Sequence, residues 1–194
     1  MSAEKEILRK QFKVLRDSLS KSEILSKSSL ISSHLFEFLK KHPYKKIGFY
    51  AAISNEVDLA ELEAKLSAIS GYEIYYPRSD WKTHRMSFHL ATLDELIKGG
   101  SSRGILEPKA SASLLSGGLD LVLVPGLVFS LTGYRVGYGK GFYDRYFKET
   151  PTPSCGVAYG FQVTEGLPIE EFDSPVDFLV TEQEILKSRR SIEV

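Results

Sequence analysis

The sequence predicts a three-layer α/β/α domain in which a mainly parallel, Rossmann-like sheet lies between helices. Two observations lead to this fold class: short apolar runs typical of buried strands alternate with segments of helical periodicity, and the clearest apolar run, 119–124, ends at a Pro-Gly pair. Strands that alternate with helices usually form a parallel sheet covered on both faces. The chain has 194 residues, enough for one such domain (1–194), and the N-terminal helices of residues 1–40 are expected to pack on the sheet.

The first forty residues predict two helices. The first would bury an apolar stripe made of Ile7, Leu8, Phe12, Leu15 and Leu19. Its cationic residues Lys5, Arg9 and Arg16 would then point elsewhere on the surface. Ser20 and Glu23 have the spacing of a capping box, which predicts that the second helix begins directly after Leu19.

The rest of the chain alternates between predicted strands and helices. Strands are predicted at 47–51, 73–76, 86–90, 119–124, 154–159 and 178–181, with a helix at 58–69. Pro77 is expected to stop the second strand, because proline cannot donate to a β-ladder. Ligands of such sheets bind beyond the carboxyl ends of the strands. The segments 54–56, the region after Val124 and the segment near Asp177 are therefore the first places to look for a site.

Composition excludes several classes of protein. The chain has 25 basic and 25 acidic residues, so its net charge of zero gives no general attraction to nucleic acid or an anionic membrane. Cys155 is the single cysteine, which excludes an intrachain disulfide and a cysteine-based zinc site. Residues 1–16 contain no long apolar run, so neither a secretory signal nor a membrane span is expected, and we predict a cytoplasmic location.

The strongest chemical signal is the stretch 133–145, GYRVGYGKGFYDR, which follows the clearest strand. Its four glycines let the backbone turn tightly, so that successive N–H groups can face phosphate oxygens near a helix N-terminus. Lys140 can place its ammonium group against a transferring phosphate. The planar guanidinium of Arg145 can donate paired hydrogen bonds to a phosphate or a carboxylate. Asp144 supplies an oxygen ligand suited to Mg²⁺. Phosphoryl transfer needs this combination.

Two familiar nucleotide motifs do not fit this stretch. A P-loop requires Ser or Thr after its lysine, whereas Gly141 follows Lys140, and Tyr134 occupies the position of the first P-loop glycine. The dinucleotide fingerprint requires two residues between its last glycines, and here only Lys140 separates Gly139 from Gly141. On composition alone, a glycine-rich turn before an ordinary amphipathic helix explains the stretch equally well.

Other charged residues also have two interpretations on sequence alone. Lys5 and Arg9 fit a solvated helix surface. Glu56 fits an acid at the start of a helix, where the macrodipole favours it. Asp177 fits a cap for the turn after Pro175. Cys155 lies in an apolar strand and is expected to be buried without a chemical role.

Residues 124–129 together with 133–145 resemble the signature of the 5-formyltetrahydrofolate cyclo-ligases, also called methenyltetrahydrofolate synthetases. Weaker similarities follow the order of the family along nearly the whole chain: 5–9 resembles its opening basic helix, 55–58 its first loop, 104–108 its middle motif and 175–177 its closing motif. Four positions depart from the usual pattern, namely Leu59, Arg103, Ser130 and Phe172. The first two lie near the expected folate site.

The resemblance implies a role for each matching residue. The residues implied to bind ATP are Lys5, Arg9, Arg135, Val136, Gly137, Tyr138, Gly139, Lys140, Gly141, Phe142, Tyr143 and Asp144. Glu56 and Tyr143 are implied to bind the folate, and Asp144 and Asp177 to hold Mg²⁺. Lys140 and Arg145 are implied to act catalytically by stabilising charge on the phosphoryl group.

The resemblance also implies a reaction, the ATP-dependent cyclisation of 5-formyltetrahydrofolate to 5,10-methenyltetrahydrofolate with release of ADP and phosphate. The formyl oxygen is phosphorylated, and N10 then attacks the activated carbon. The partners would be these small molecules alone, and the protein a monomer or weak dimer. Two rivals remain: an ATP-independent enzyme on a similar sheet, such as a sugar-phosphate isomerase or coenzyme A transferase, and a binding module without catalysis. The latter has no need of Lys140, Asp144, Arg145 and Asp177 together.

Overall fold

The computed structural model describes residues 2–100 and 104–188, so Arg103 lies outside the described residues. The described helices are α1 (Ala3–Asp17), α2 (Lys21–Lys41), α3 (Ala60–Ser67) and α4 (Phe142–Glu149). The described strands are β1 (Lys46–Gly48), β2 (Glu73–Asp80), β3 (Arg85–Leu90), β4 (Ile97–Lys98), β5 (Leu106–Glu107), β6 (Leu121–Pro125), β7 (Val128–Ser130), β8 (Arg135–Val136), β9 (Ser154–Val157), β10 (Val163–Thr164), β11 (Phe178–Val180) and β12 (Ile185–Lys187).

A mostly parallel sheet forms the centre of the molecule. Its strands lie in the order β12-β11-β9-β6-β1-β2-β3. The strands from β11 to β2 are parallel to their neighbours, whereas β12 and β3 pair antiparallel at the two edges. The predicted fold class, an α/β domain with a mainly parallel sheet, is confirmed.

Strand β2 contradicts one prediction, because it continues through Pro77 to Asp80. The pairing of β2 with β1 ends at Gly48 opposite Tyr75, so Pro77 lies beyond the part of β2 that β1 covers. Only β3 pairs with β2 there, with Phe88 opposite Pro77. A proline is tolerated where one side of a strand has no ladder to donate to.

Helices cover both faces of this sheet. On one face, α2 and α3 bury an apolar cluster that includes Leu35 and Leu62 against Ile47 and Leu121. Cys155 belongs to this cluster and is fully buried, as expected. On the other face, aromatic residues of α4 pack on residues of β6 and β11, among them Val122, Val124 and Leu179. The alternation of side chains along each strand produces the three layers.

The two N-terminal helices differ in how well their sequence predicts them. Helix α2 begins at Lys21, and Ser20 and Glu23 form the expected capping box. Helix α1 forms where a helix was predicted, but it ends at Asp17, before Leu19, and its orientation differs, because Ile7 is 64% exposed whereas Lys5 and Arg16 are buried. The prediction for the buried face of α1 is therefore wrong at Ile7 and Leu15, which are exposed, whereas Phe12 is buried as predicted.

The small sheet formed by β10, β7 and β8 explains this orientation of α1. Phe12 and Leu8 pack against Leu127, Val128 and Val136 of that sheet. The cations on the same helical face are buried because carboxylates of later segments pair with them. Strand β8 is part of the glycine-rich stretch 133–145, so this docking places α1 beside that stretch.

Among residues 2–100 and 104–188, none of the helices combines the length and the apolar composition that a membrane span requires.

Candidate functional site

A cavity of about 610 Å³ opens at the carboxyl edge of the central sheet. The segments that follow β1 and β6 form its floor, as the general rule for α/β sheets predicts. Helix α1 and the stretch 135–145, apart from Phe142, form one wall. The opposite wall is largely apolar and consists of Pro77, Ser79, Trp81, Met86, Ile105 and Leu106, together with Phe142.

The glycine-rich stretch has the backbone shape that its sequence predicts. Gly139 and Gly141 have φ angles of 82° and 68°, a left-handed conformation that favours glycine. Gly141 precedes the first residue of α4, so the helix N-terminus faces the cavity. Arg145 donates from Nη1 to the carbonyl oxygen of Lys140 at 2.7 Å, which ties the loop to the helix. Lys140 itself is exposed and lines the cavity.

Helix α1 brings two cations to the same wall. Arg9 donates from Nε to the carbonyl oxygen of Gly137 at 2.9 Å. Lys5 is 3% exposed, and its ammonium lies 2.9 Å from Glu170 Oε2 and also contacts Asp173. Although burial alone would lower the pKa of Lys5, the hydrogen bonds to Asp173 and Glu170 raise it above its ordinary value. Lys5 therefore remains protonated at the cavity.

Carboxylates stand opposite these cations. Asp144, in the first turn of α4, accepts from Arg135 Nη1 at 3.0 Å and from the amide of Ser174 at 3.3 Å. The side chain of Asp173, next to Ser174 in the chain, lines the same cavity. Asp144 and Asp173 thus reach one space from two segments that are far apart in sequence. Arg135 also lies over the ring of Tyr143, at 5.5 Å from its centroid.

Glu56 is the buried acid of the site. It is 7% exposed, and it accepts from the amide of Ile53 at 3.1 Å. Burial raises its pKa from 4.5 to about 7, while the guanidinium of Arg16 opposes that rise. Burial also raises the pKa of the Tyr143 hydroxyl, and Glu56 adds to the effect. Both residues line the cavity, so the structure brings together the two side chains that the resemblance assigns to the folate.

Asp177 is not among the described residues that line the cavity, so the structure does not bring it together with Asp144 there, and its role as a metal ligand stays a prediction. It precedes β11 and therefore lies at the amino edge of the parallel strands, opposite the site. Its carboxylate accepts from the amide and the hydroxyl of Ser154, at 2.9 and 3.0 Å. Asp177 holds the start of β9 in place. Among the described residues, no group of three or more metal-binding side chains is present.

Sequence reasoning missed several residues of the site. Arg16 is the most informative, because the helical spacing of Lys5, Arg9, Phe12 and Arg16 already indicated one common face. Trp81 meets Phe142 edge to face at 5.1 Å between ring centroids, and no spacing rule links two residues so far apart. The remaining missed residues, Glu170 and Asp173 among them, also come from segments that only folding brings together.

Comparison with known proteins adds an independent line of support. The model of the 5-formyltetrahydrofolate cyclo-ligase family matches residues 1–182. A mouse protein described as 5-formyltetrahydrofolate cyclo-ligase is 29% identical over 187 residues, which cover 90% of this chain and 92% of the mouse chain.

Two solved structures share the fold over nearly their full length. A 5,10-methenyltetrahydrofolate synthetase from Mycoplasma pneumoniae superposes with a TM-score of 0.75 at 26% identity, covering 92% of this chain and 98% of that one. The NMR structure of the Aquifex aeolicus 5,10-methenyltetrahydrofolate synthetase has a TM-score of 0.76 at 34% identity, covering 98% of this chain and 95% of that one.

Proposed function

The chain belongs to the 5-formyltetrahydrofolate cyclo-ligase family, and on this premise we propose that it closes 5-formyltetrahydrofolate to 5,10-methenyltetrahydrofolate at the expense of ATP. The observation that carries the proposal is one cavity with two unlike walls. One wall combines glycine-rich backbone with cations, and the other combines aromatic and apolar side chains with a buried acid at its base. The first wall suits the polyphosphate of a nucleotide, and the second suits the flat pterin ring of a folate.

The nucleotide phosphates fit the wall formed by α1 and the stretch 137–141. Backbone N–H groups at the start of α4 favour anions. Lys5 and Arg9 add positive charge from α1, and Lys140 is exposed at the tip of the loop. Arg145 holds the Lys140 carbonyl, so it supports the loop that presents this lysine.

Asp144 and Asp173 are the residues that would hold Mg²⁺. Their carboxylate oxygens suit this ion, and both line the cavity beside the phosphate wall. In the structure Asp144 pairs with Arg135, and Asp173 pairs with Lys5. A bound Mg²⁺ would therefore share each carboxylate with the cationic side chain beside it. The metal supplies positive charge that stabilises a transferring phosphoryl group.

The pterin of the folate fits the opposite wall. Trp81 and Phe142 provide aromatic surface there, and the indole N–H of Trp81 is buried without an acceptor among the described residues. Glu56 can accept N–H groups of the pterin at the base of the cavity. Tyr143 lies between the two walls, next to Arg135 and within the electrostatic reach of Glu56.

The chemistry needs alignment rather than a protein nucleophile. The formyl oxygen attacks the γ-phosphorus of ATP, and the bond from phosphorus to the ADP oxygen breaks. N10 then attacks the formyl carbon, the bond from that carbon to the phosphorylated oxygen breaks, and phosphate leaves with the proton that N10 loses. Lys140 stabilises the charge on the phosphoryl group during transfer. The walls hold the formyl oxygen near phosphorus and exclude water.

The decisive experiment mixes the protein with MgATP and 5-formyltetrahydrofolate and follows the near-ultraviolet absorbance of the methenyl product together with ADP and phosphate. We expect one ADP and one phosphate for each methenyl product, and no turnover in chelator. Equal product formation without ATP would contradict the proposal and favour an ATP-independent enzyme of the isomerase type.

A further inference from the structure

Arg16 connects three segments that border the cavity. It projects from α1 and is fully buried, at 0% exposure. Its Nη1 donates to the carbonyl oxygen of Gly126, which follows β6, at 3.3 Å. Its Nη2 donates to the hydroxyl of Tyr138 in the glycine-rich stretch. Nη1 also lies 3.5 Å from Oε1 of Glu56, in the loop after β1.

Arg16 acts through these neighbours and not on a ligand directly. Glu56 and Tyr138 line the cavity, whereas Arg16 is not among the described residues that do. A second contact ties the same loop to α1, since Asn55 Nδ2 donates to the backbone oxygen of Arg16 at 3.4 Å. The planar guanidinium suits this arrangement, because its donors can serve several acceptors in fixed directions.

The contact between Arg16 and Glu56 leaves room to tighten. Charge-assisted bonds between guanidinium and carboxylate are usually about 2.7–2.9 Å, so a shift of roughly 0.6 Å would complete this one. The Nε donor of Arg16 is buried and has no acceptor among the described residues. A buried donor without a partner favours any movement that supplies one.

We propose that Arg16 is a positioning residue that couples the two substrate sites, so that a nucleotide held near Tyr138 strengthens the binding of folate near Glu56. The proposal rests on the proposed function, since it takes the ATP and folate sites from it. Physically, ordering the stretch around Tyr138 fixes the guanidinium, and a fixed guanidinium holds the Glu56 carboxylate in one orientation. By linkage, folate must strengthen nucleotide binding by the same factor.

The test measures 5-formyltetrahydrofolate affinity by calorimetry with and without a non-hydrolysable ATP analogue and Mg²⁺. We expect the analogue to tighten folate binding about five- to tenfold in the wild-type protein, within the usual range of coupling between sites. Arg16→Lys keeps the charge but loses the fork, so this ratio should fall close to one. Lys13→Met is the matched control, because Lys13 lies on the same helix but is exposed and pairs with Asp17. It should keep the wild-type ratio.

The possible outcomes separate this proposal from the function on which it rests. A wild-type protein that binds neither ligand would overturn both. Binding of both ligands with a ratio of one, or an Arg16→Lys variant that keeps the wild-type ratio, would overturn the coupling alone. If Arg16→Lys does not fold, Tyr138→Phe takes its place, since it removes only the hydroxyl that Arg16 contacts. An unchanged ratio in that variant would refute the role of Arg16.

Discussion

Carboxylates at the two edges of the central sheet meet different surroundings. At the carboxyl edge, Glu56 is buried next to the cavity, and burial raises its pKa to about 7. At the amino edge, Asp177 is half-buried and accepts two hydrogen bonds from Ser154 at the start of β9. Glu56 is thus held where ionisation is unfavourable, whereas the bonds to Asp177 secure a strand.

This difference teaches where the fold gives up stability for function. Buried ionisable groups and exposed loop cations gather at the carboxyl edge, which is typical of binding and catalytic sites. At the amino edge, Asp177 is paired with Ser154 on the neighbouring strand β9. Substitutions at the carboxyl edge should therefore change activity with little loss of stability, and those at the amino edge should do the reverse.

Replacement of Lys140 should have the largest effect. Lys140→Met keeps much of the length of the side chain and removes its charge, so the glycine turn should survive. Loss of a preorganised electrostatic contact of this kind lowers turnover by ~10²–10³, or roughly 3–4 kcal/mol. Folate affinity should change little, because the contact matters most in the transition state. Steady-state and single-turnover kinetics measure the loss in turnover separately from any change in folate affinity.

Lys187→Met makes the same chemical change at the opposite edge, where Lys187 is exposed. Its activity and stability should stay within about 0.5 kcal/mol of wild type. Near-normal turnover of a folded Lys140→Met protein would move the phosphate role to another cation of the cavity, first of all Arg145.

Glu56 should make stability fall as pH rises. Its pKa is about 7 in the folded protein against 4.5 in the unfolded chain, so the folded state binds more protons between these values. The stabilisation is present in full below pH 4.5 and is lost as pH rises through 7, by roughly 3 kcal/mol. Glu56→Gln should abolish this pH dependence. Urea unfolding of both proteins at pH 4.5, 6 and 8 measures it, and parallel curves would contradict the burial argument.

Asp144→Asn should raise the Mg²⁺ concentration needed for half-maximal turnover. Even the outer partners of a metal site change its affinity by about ten- to a hundredfold, so we expect at least about a tenfold rise. Asp177→Asn should leave the requirement unchanged, because Asp177 lies at the other edge. A metal requirement that rises in both variants would instead support the pair of ligands, Asp144 and Asp177, that the resemblance implies.

Apart from the control substitutions, Asp177→Ala should have the smallest effect, and it should act on stability alone. The change leaves the amide and hydroxyl of Ser154 without their acceptor, which should lower the free energy of unfolding by about 1 kcal/mol. Denaturant unfolding measures the loss, and the turnover of the folded fraction should equal that of wild type. A large fall in turnover without loss of stability would contradict the assignment of activity to the carboxyl edge and of stability to the amino edge.

Much of the site could be read from the sequence, and the reasons are local. The glycines of 137–141, the aspartate that follows them and the clearest strand before them all lie within one short segment of chain. The aromatic wall could not be predicted, because Trp81 and Phe142 meet only after β2, β3 and α4 have packed. Asp177 lies at the amino edge of the sheet because it directly precedes a strand. The family resemblance instead implied that it holds Mg²⁺ with Asp144.

By itself, the sequence determined the α/β fold class, the start of α2 at its capping box and the glycine turn before α4, since each depends on residues close together in the chain. Only the tertiary structure decided which face of α1 is buried. Apolar spacing favoured the face with Ile7, but distant segments supply partners for the buried cations: Asp173 pairs with Lys5, and the Gly126 carbonyl and the Tyr138 hydroxyl accept from Arg16. A buried charge is stable only with a partner, and only folding brings that partner into contact.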